Sequence, residues 1–458
     1  MIFGLKKGKL LALLAVAFVF HNHAIAQTGW WTAWSQQTGL ALCMHIAPSS
    51  TPELYSPMQS KLPIQVTDYS RQGDTLRIVC GGIGLRATLV YGSADSSWHG
   101  RWRQGVMREE VVFAPADTLF TLRRPQTPQV PYSFVEREVE VDYTDSEGNR
   151  VHMSGVVALP STKGKYPLVM LVSGSGQQNR DCELLGHHPF LVLTDYLTRH
   201  GVAVGRFDDR GIGRSTGNLD RATTALFAED AEAMWRAMLK VKGVDRKRSG
   251  IVWHSEGAVI AAILAAKRND VHLLVMLGGQ GCSGREVMVQ QNRAIYAAMG
   301  MDSSAVDART TCIDSLMQMP PTASVKAFQA TMQRLTAHLD EPTKAKIGMR
   351  KADAYALRNQ LQMPWMQAFI NIDMARILPN VKCRTLAITG ELDLQVPPDP
   401  NLKMIDSLTT HRAMCIQMPH LNHLMQHCQS GLPQEYATIE ETFATEAMQA
   451  IADFVLQE

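Results

Sequence analysis

The sequence predicts an α/β protein, a mostly parallel sheet covered by helices, preceded by a small β-rich domain. Three observations lead there. Short alternating strands fill the first part of the chain, apolar strands separated by helices fill the second, and a helical stretch of about a hundred residues interrupts that second part late. At roughly 150 residues per domain, 458 residues allow two to three cores. With 45% hydrophobic and 19% charged residues, the composition is that of a globular protein.

Taken in order, Lys6, Lys7 and Lys9 precede the apolar run Leu10 to Phe20, and Ala24-Ile25-Ala26 offers small residues to a signal peptidase. The run is too short for a membrane anchor. Residues 1–26 therefore read as a signal peptide, and the mature chain as exported, periplasmic or extracellular. From about Gln27 to Thr127 the pattern is β-rich: Thr75 to Cys80 places Leu76, Ile78 and Cys80 on one face, and Leu85 to Tyr91 alternates likewise after Gly81, Gly82 and Gly84. Five of eight tryptophans, Trp30, Trp31, Trp34, Trp98 and Trp102, fall in this region. They offer a stacking surface for a ligand, although core packing is the commoner use of tryptophan. Pro125-Gln126-Thr127-Pro128 reads as a linker.

The second domain, 128–458, opens with a hairpin, Glu136 to Tyr143 and Val151 to Leu159, around Glu147-Gly148-Asn149. Strands then follow at Pro167 to Val172, Val202 to Phe207, Gly250 to Trp253, Leu273 to Leu277, Thr385 to Ile388 and Ala413 to Gln417. Apolar on both faces, they belong inside a parallel sheet. Leu226, Phe227, Ala231, Met234, Met238 and Val241 repeat at helical spacing, and a last helix is predicted from about Tyr436 to Leu456. The methionine-rich insertion, about 281–378, reads as a cap, its methionines serving an acyl pocket or, more commonly, helical core.

Charge and cysteine content exclude several functions. There are 45 basic and 43 acidic residues, and three of the basic ones lie in the first 26, so the remainder is close to neutral. Such a chain has no field for nucleic acid or an anionic membrane. The eight cysteines form no Cys-x-x-Cys pair, which argues against zinc and thioredoxin-like chemistry; Cys43 with Cys80 is the one disulfide to entertain, two ordinary buried thiols being the equal alternative. His423 and His427 stand four apart without a zincin glutamate, so no metal is expected. No organic cofactor is expected either.

Chemistry is carried by Ile251-Val252-Trp253-His254-Ser255-Glu256-Gly257-Ala258, a strand, a sharp turn and a helix start with serine at the apex. A serine hydroxyl needs a base to become nucleophilic, and such a turn exposes its oxygen beside backbone amides. Asp393 follows a later strand and His423 the next, giving the order Ser, Asp, His, all at the carboxyl edge of the sheet. Glu391 rivals Asp393 for the acid. Asp208, Asp209 and Arg210 read as buried ion pairs shaping loops, or as substrate contacts; His187 and His188 read as surface histidines or pocket edge.

These motifs resemble the α/β-hydrolase superfamily over roughly 134–458. The chain is similar in particular to exported bacterial esterase-like hydrolases related to the serine aminopeptidase group, through Ser173-Gly174-Ser175-Gly176, His187-His188-Pro189-Phe190, Phe207-Asp208-Asp209-Arg210-Gly211-Ile212-Gly213, His254-Ser255-Glu256-Gly257, Asp393-Leu394-Gln395-Val396-Pro397 and Asn422-His423-Leu424. The first domain resembles theirs in Tyr55-Ser56-Pro57-Met58-Gln59 and Trp98-His99-Gly100-Arg101-Trp102-Arg103-Gln104-Gly105. The resemblance implies an α/β-hydrolase fold with a helical cap. It implies Ser255 as nucleophile, His423 as general base and acid, Asp393 as its orienting partner, and an oxyanion hole from the amides of Glu256 and Ser175. The implied activity is hydrolysis of a small carboxylic ester through an acyl-enzyme, the alternatives being an aminopeptidase or amidase on peptide-like substrates, and a catalytically degenerate binding protein. Trp253 departs from the pattern, which has a small residue two before the serine.

Overall fold

The computed structural model describes residues 27–457 except Ser49, Ser60, Lys61, Val106 and Gln177. The leader expected over 1–26 lies outside the described residues. Two compact units are present, Met1–Arg123 and Arg124–Glu458. The division falls a few residues before the expected one because the linker's side chains are tied into the second unit: Arg124 donates to the carbonyls of Leu185, Ala437 and Ile439, and Gln126 donates to that of Phe443.

The first unit is one antiparallel sheet. Its strands are β1 (Gly29–Trp34), β2 (Ala41–Ile46), β3 (Glu53–Tyr55), β4 (Asp68–Gln72), β5 (Thr75–Cys80), β6 (Leu85–Gly92), β7 (Ser97–Gln104) and β8 (Met107–Ala116), in the order β3-β2-β1-β8-β7-β6-β5-β4. Alternation puts Leu76, Ile78, Leu85, Ala87 and Leu89 on the buried face. Trp31, Trp98 and Trp102 are core residues there, with Trp31 and Trp98 edge to face at 6.3 Å. Trp30 and Trp34 point to the other face of β1, Trp30 stacking on His45 and Trp34 packing on Phe120. Cys43 and Cys80 are buried free thiols on strands that do not pair, so the entertained disulfide is not formed.

The second unit is built on β9 (Val135–Thr144), β10 (Arg150–Leu159), β11 (Tyr166–Val172), β12 (Ala203–Phe207), β13 (Val244–His254), β14 (Leu273–Leu277), β15 (Arg384–Gly390) and β16 (Ala413–Met418). From one edge the order is β9-β10-β12-β11-β13-β14-β15-β16, antiparallel at β9/β10 and β10/β12 and parallel thereafter. This is the α/β-hydrolase fold. Its central strands are buried on both faces, which is why they read as unbroken apolar runs. On one face lie α1 (Pro189–Arg199) and, in sequence the last helix of the chain, Thr445–Leu456, sharing a core with Val169, Val252, Val275 and Ile388. On the other lie α2 (Thr224–Met238) and α3 (Gly257–Lys267), packed on Met170, Ile251, Trp253 and Met276.

Between β14 and β15 the insertion folds as α4 (Gly284–Ala298), α5 (Ser303–Met317), α6 (Val325–Leu335), α7 (Glu341–Lys346), α8 (Ala354–Leu361), α9 (Pro364–Ile370) and α10 (Met374–Ile377). A full capping box at Ser283 and Glu286 starts α4. The insertion has its own core of Cys312, Leu316, Met317, Phe328, Met332 and Met366. After β15, α11 (Pro398–Leu408) leads to β16, and α12 (Thr445–Leu456) closes the chain.

The last helix corrects the expectation of a start near Tyr436. The amides of Thr442 and Phe443 donate to the Gln126 carboxamide, and the carbonyls of Ala437 and Ile439 accept from Arg124. Backbone groups that a helix would use are committed to the linker. No described helix is long and apolar enough to cross a membrane.

Candidate active site

Ser255 stands between β13 and α3 with φ of 61°. A non-glycine residue held there costs roughly 1–3 kcal/mol, strain that persists only where surrounding structure fixes it. Here the serine amide donates to Leu277 O, and its carbonyl accepts from the Ala258 amide. Trp253 resolves its departure from the pattern by lying wholly buried among the core residues under α2 and α3, its indole N–H without a partner among the described residues. The turn keeps its left-handed serine despite the bulk two residues before it.

Asp393 and His423 come from the ends of the next strands. Asp393, 1% exposed, accepts the amides of Gln395 (2.9 Å) and Val396 (2.8 Å) on Oδ1, leaving Oδ2 at 2.8 Å from His423 Nδ1. This explains the motif Asp393-Leu394-Gln395-Val396: its backbone aims the carboxylate. His423, 3% exposed, is carried on a turn fixed by buried Asn422, whose Oδ1 accepts the amides of Leu424 and Gln426. Glu391, the rival acid, instead accepts the amide of exposed His420. Gly278, at φ of 53°, lies against the pair; a Cβ there would stand 3.0 Å from both Asp393 Oδ2 and His423 Nδ1.

Ser255, His423 and Ser175 line one cavity of about 160 Å³. No hydrogen bond joins the Ser255 hydroxyl to His423 among the described residues. The loop after β11 reaches the serine closely: a Cβ on Gly174 would lie 2.9 Å from the Ser255 Cβ and 3.0 Å from His254 O. Only glycine fits that approach. Glu256 stands at the start of α3, where the first amides of a helix have no intrahelical acceptor. Its buried carboxylate accepts Thr224 Oγ1 at 2.6 Å and the Trp365 indole at 2.8 and 2.9 Å. Burial pushes the Glu256 carboxyl above its usual range, against these bonds. Trp365, on α9, is thus the insertion's link to the serine turn.

The motifs name His254 and His187 without showing what they bond. His254 donates its Nε2 hydrogen to the carbonyl of His423 at 2.7 Å, and the two rings lie 4.5 Å apart. Burial first, then the neighbouring His423, lowers its pKa to about 3. His187, expected on the surface or at the pocket edge, is 1% exposed; it lines the cavity and contacts Thr442 Oγ1 at 2.8 Å. Burial, with Arg124 nearby, lowers it to about 4. Their contacts are more than a hundred residues distant in sequence, so no local pattern marks them. None of the insertion's methionines is among the described residues lining the cavity.

Asp208 pairs with Arg180 at 2.7 Å, and Arg210 with Asp230 at 2.8 Å and Asp145 at 3.2 Å. The Arg210 pairs are buried on both sides, whereas Arg180 is partly exposed. His427 pairs with Glu441 and Glu446 rather than with His423, and no group of three potential metal ligands occurs among the described residues.

The buried imidazoles give a pH dependence of stability. As pH falls below about 6.5 the unfolded chain protonates His187 and His254, while the folded chain, with values near 4 and 3, does not. Asp209 acts oppositely: burial raises it to about 7, so the folded carboxyl holds a proton that the unfolded one, near 3.9, has released. Glu256 and Asp230, whose carboxyls burial also raises, act with Asp209 against the two histidines, so the histidines destabilise the fold on acidification and the buried carboxyls oppose them.

No family model matches the chain. Its sequence is 23% identical over 241 residues to esterase EstD of Thermotoga maritima, covering 52% of each protein, so the chain spans about half the length of the curated relative it matches. Similar solved structures include a thermophilic esterase from Thermogutta terrifontis (15% identity, 70% of this chain and 98% of that one, TM-score 0.37). Others are an enol-lactonase from Burkholderia xenovorans (16%, 69% and 100%, TM-score 0.40) and an esterase from Pyrococcus furiosus (15%, 70% and 92%, TM-score 0.40).

Proposed function

We propose that the chain is a serine hydrolase that cleaves small, uncharged carboxylic esters through an acyl-enzyme. The observation that carries this reading is a strained serine at a strand-to-helix turn sharing one cavity with a buried histidine–carboxylate pair. In the proposed reaction Ser255 Oγ attacks the ester carbonyl while His423 takes its proton through Nε2, Nδ1 being held by Asp393. The carbonyl oxygen becomes negative and is met by the amides of Glu256 and Ser175. The alcohol departs with the proton from His423, leaving the acyl group on Oγ, and water activated by the same histidine releases the acid.

The cavity favours an ester over an aminoacyl substrate. None of the described residues lining it is an aspartate, glutamate, lysine or arginine; its walls are apolar side chains such as Leu184, Phe190 and Phe443, with neutral Gln395, Gln426 and Tyr436. A substrate ammonium would be buried there without a counter-ion, at several kcal/mol. A volume of about 160 Å³ is similar to that of a cavity of about 150 Å³ that holds one benzene. Turnover of p-nitrophenyl butyrate is expected to exceed that of leucine p-nitroanilide by about a hundredfold or more in kcat/KM. Faster cleavage of the anilide would favour the aminopeptidase reading.

Export is proposed from residues 1–26. Expressed with its leader in a bacterium, the protein is expected in the periplasm or medium with Gln27 as its first residue, as N-terminal sequencing would show; an intact Met1 chain in the cytoplasm would refute it.

A further inference from the structure

We propose that Asp209 is a positioning residue for the loop that carries Ser175, holding both ends of that loop to the floor of the site. The inference rests on the ester-hydrolase reading, in which Ser175 supplies an oxyanion donor.

Asp209 follows β12, the neighbour of β11, and is 7% exposed. One carboxylate oxygen accepts the Ser173 hydroxyl at 2.8 Å, and the other accepts the Gln178 amide at 3.1 Å. Its own amide donates to Gln178 O at 3.1 Å. Ser173 and Gln178 bracket Gly174, Ser175 and Gly176, so one side chain closes the loop at its two ends. The loop has little freedom to be elsewhere, since Gly174 already stands as near the serine turn as a residue without a Cβ can. A shift of a few tenths of an ångström would therefore change where the Ser175 amide points relative to Ser255, which is the tolerance such donors require.

The carboxylate is also unusual in its charge environment. Its sequence neighbour Asp208 has Arg180, and Asp230, on α2, has Arg210. Asp209 has no ion pair among the described residues, and burial, reinforced by those two acids, holds it near 7. A group kept at that cost, with both oxygens bonded to one loop, fits a role in that loop rather than in general packing.

The test uses full-length protein and p-nitrophenyl butyrate, with rates normalised to the serine titrated by a fluorophosphonate. Asp209→Ala removes both acceptors at once. It is expected to lower kcat by about ten- to a hundredfold with KM changed less than about twofold, because the oxyanion donor acts mainly in the transition state. Ser173→Ala, which removes one tie and leaves Asp209 in place, should lower kcat several-fold, and Ser173→Thr, which restores a hydroxyl, should recover most of it. If Asp209→Ala does not fold, the Ser173 pair decides the matter alone. A kcat per titrated serine equal to wild type in the variants, whatever their melting temperatures, would overturn the proposal. Failure of the wild-type serine to titrate would instead remove the ester-hydrolase reading on which it rests.

Discussion

Ser255→Ala is expected to reduce kcat on p-nitrophenyl butyrate by roughly 10⁵- to 10⁶-fold, leaving only what an oxyanion site and binding achieve without a nucleophile. The protein should stay folded, because the Ser255 backbone bonds to Leu277 and Ala258 do not involve the hydroxyl. A companion change makes the prediction sharper. Ser255→Gly removes the Cβ that makes φ of 61° costly, and is expected to be both inactive and more stable than wild type by about 1 kcal/mol, read as a higher melting temperature. An active alanine variant would remove Ser255 from its role. An inactive, destabilised glycine variant would show that the turn is not strained as described.

The second large effect is expected at Asp393. Asp393→Asn preserves size and leaves one oxygen for the amides of Gln395 and Val396, but it turns an NH₂ toward His423 Nδ1. The imidazole must then accept at Nδ1 and carry its proton on Nε2, the nitrogen that has to receive the serine proton. A loss of about 10⁴ in kcat is expected at neutral pH, with the variant folded. A loss below tenfold would mean that another group, Glu391 being the sequence alternative, orients the histidine.

Much of the fold can be read from apolar patterning. Thr75–Cys80 and Leu273–Leu277 begin and end where the pattern changes, since a strand inside a sheet must be apolar where it is covered. The start of α12 could not be read, because what ends the irregular segment before it is Gln126, more than three hundred residues away. The site divides the same way. Ser255, Asp393 and His423 lie in short motifs whose own backbones fix them, as the Asp393 and Asn422 turns show, and the structure brings Ser255 and His423 to one cavity with Asp393 on the imidazole. Trp365, His187 and the clamp by Asp209 depend on partners brought together only by the sheet order and the insertion, and tertiary contacts of that kind leave no periodicity in a sequence.

Reaction of the purified protein with a fluorophosphonate, followed by intact mass and peptide mapping, tests most directly whether the histidine–carboxylate pair activates this serine. One adduct per chain on the peptide containing Ser255 is predicted, formed far more slowly in His423→Ala. No adduct, or labelling of Ser255 at the same rate without the imidazole, would contradict it.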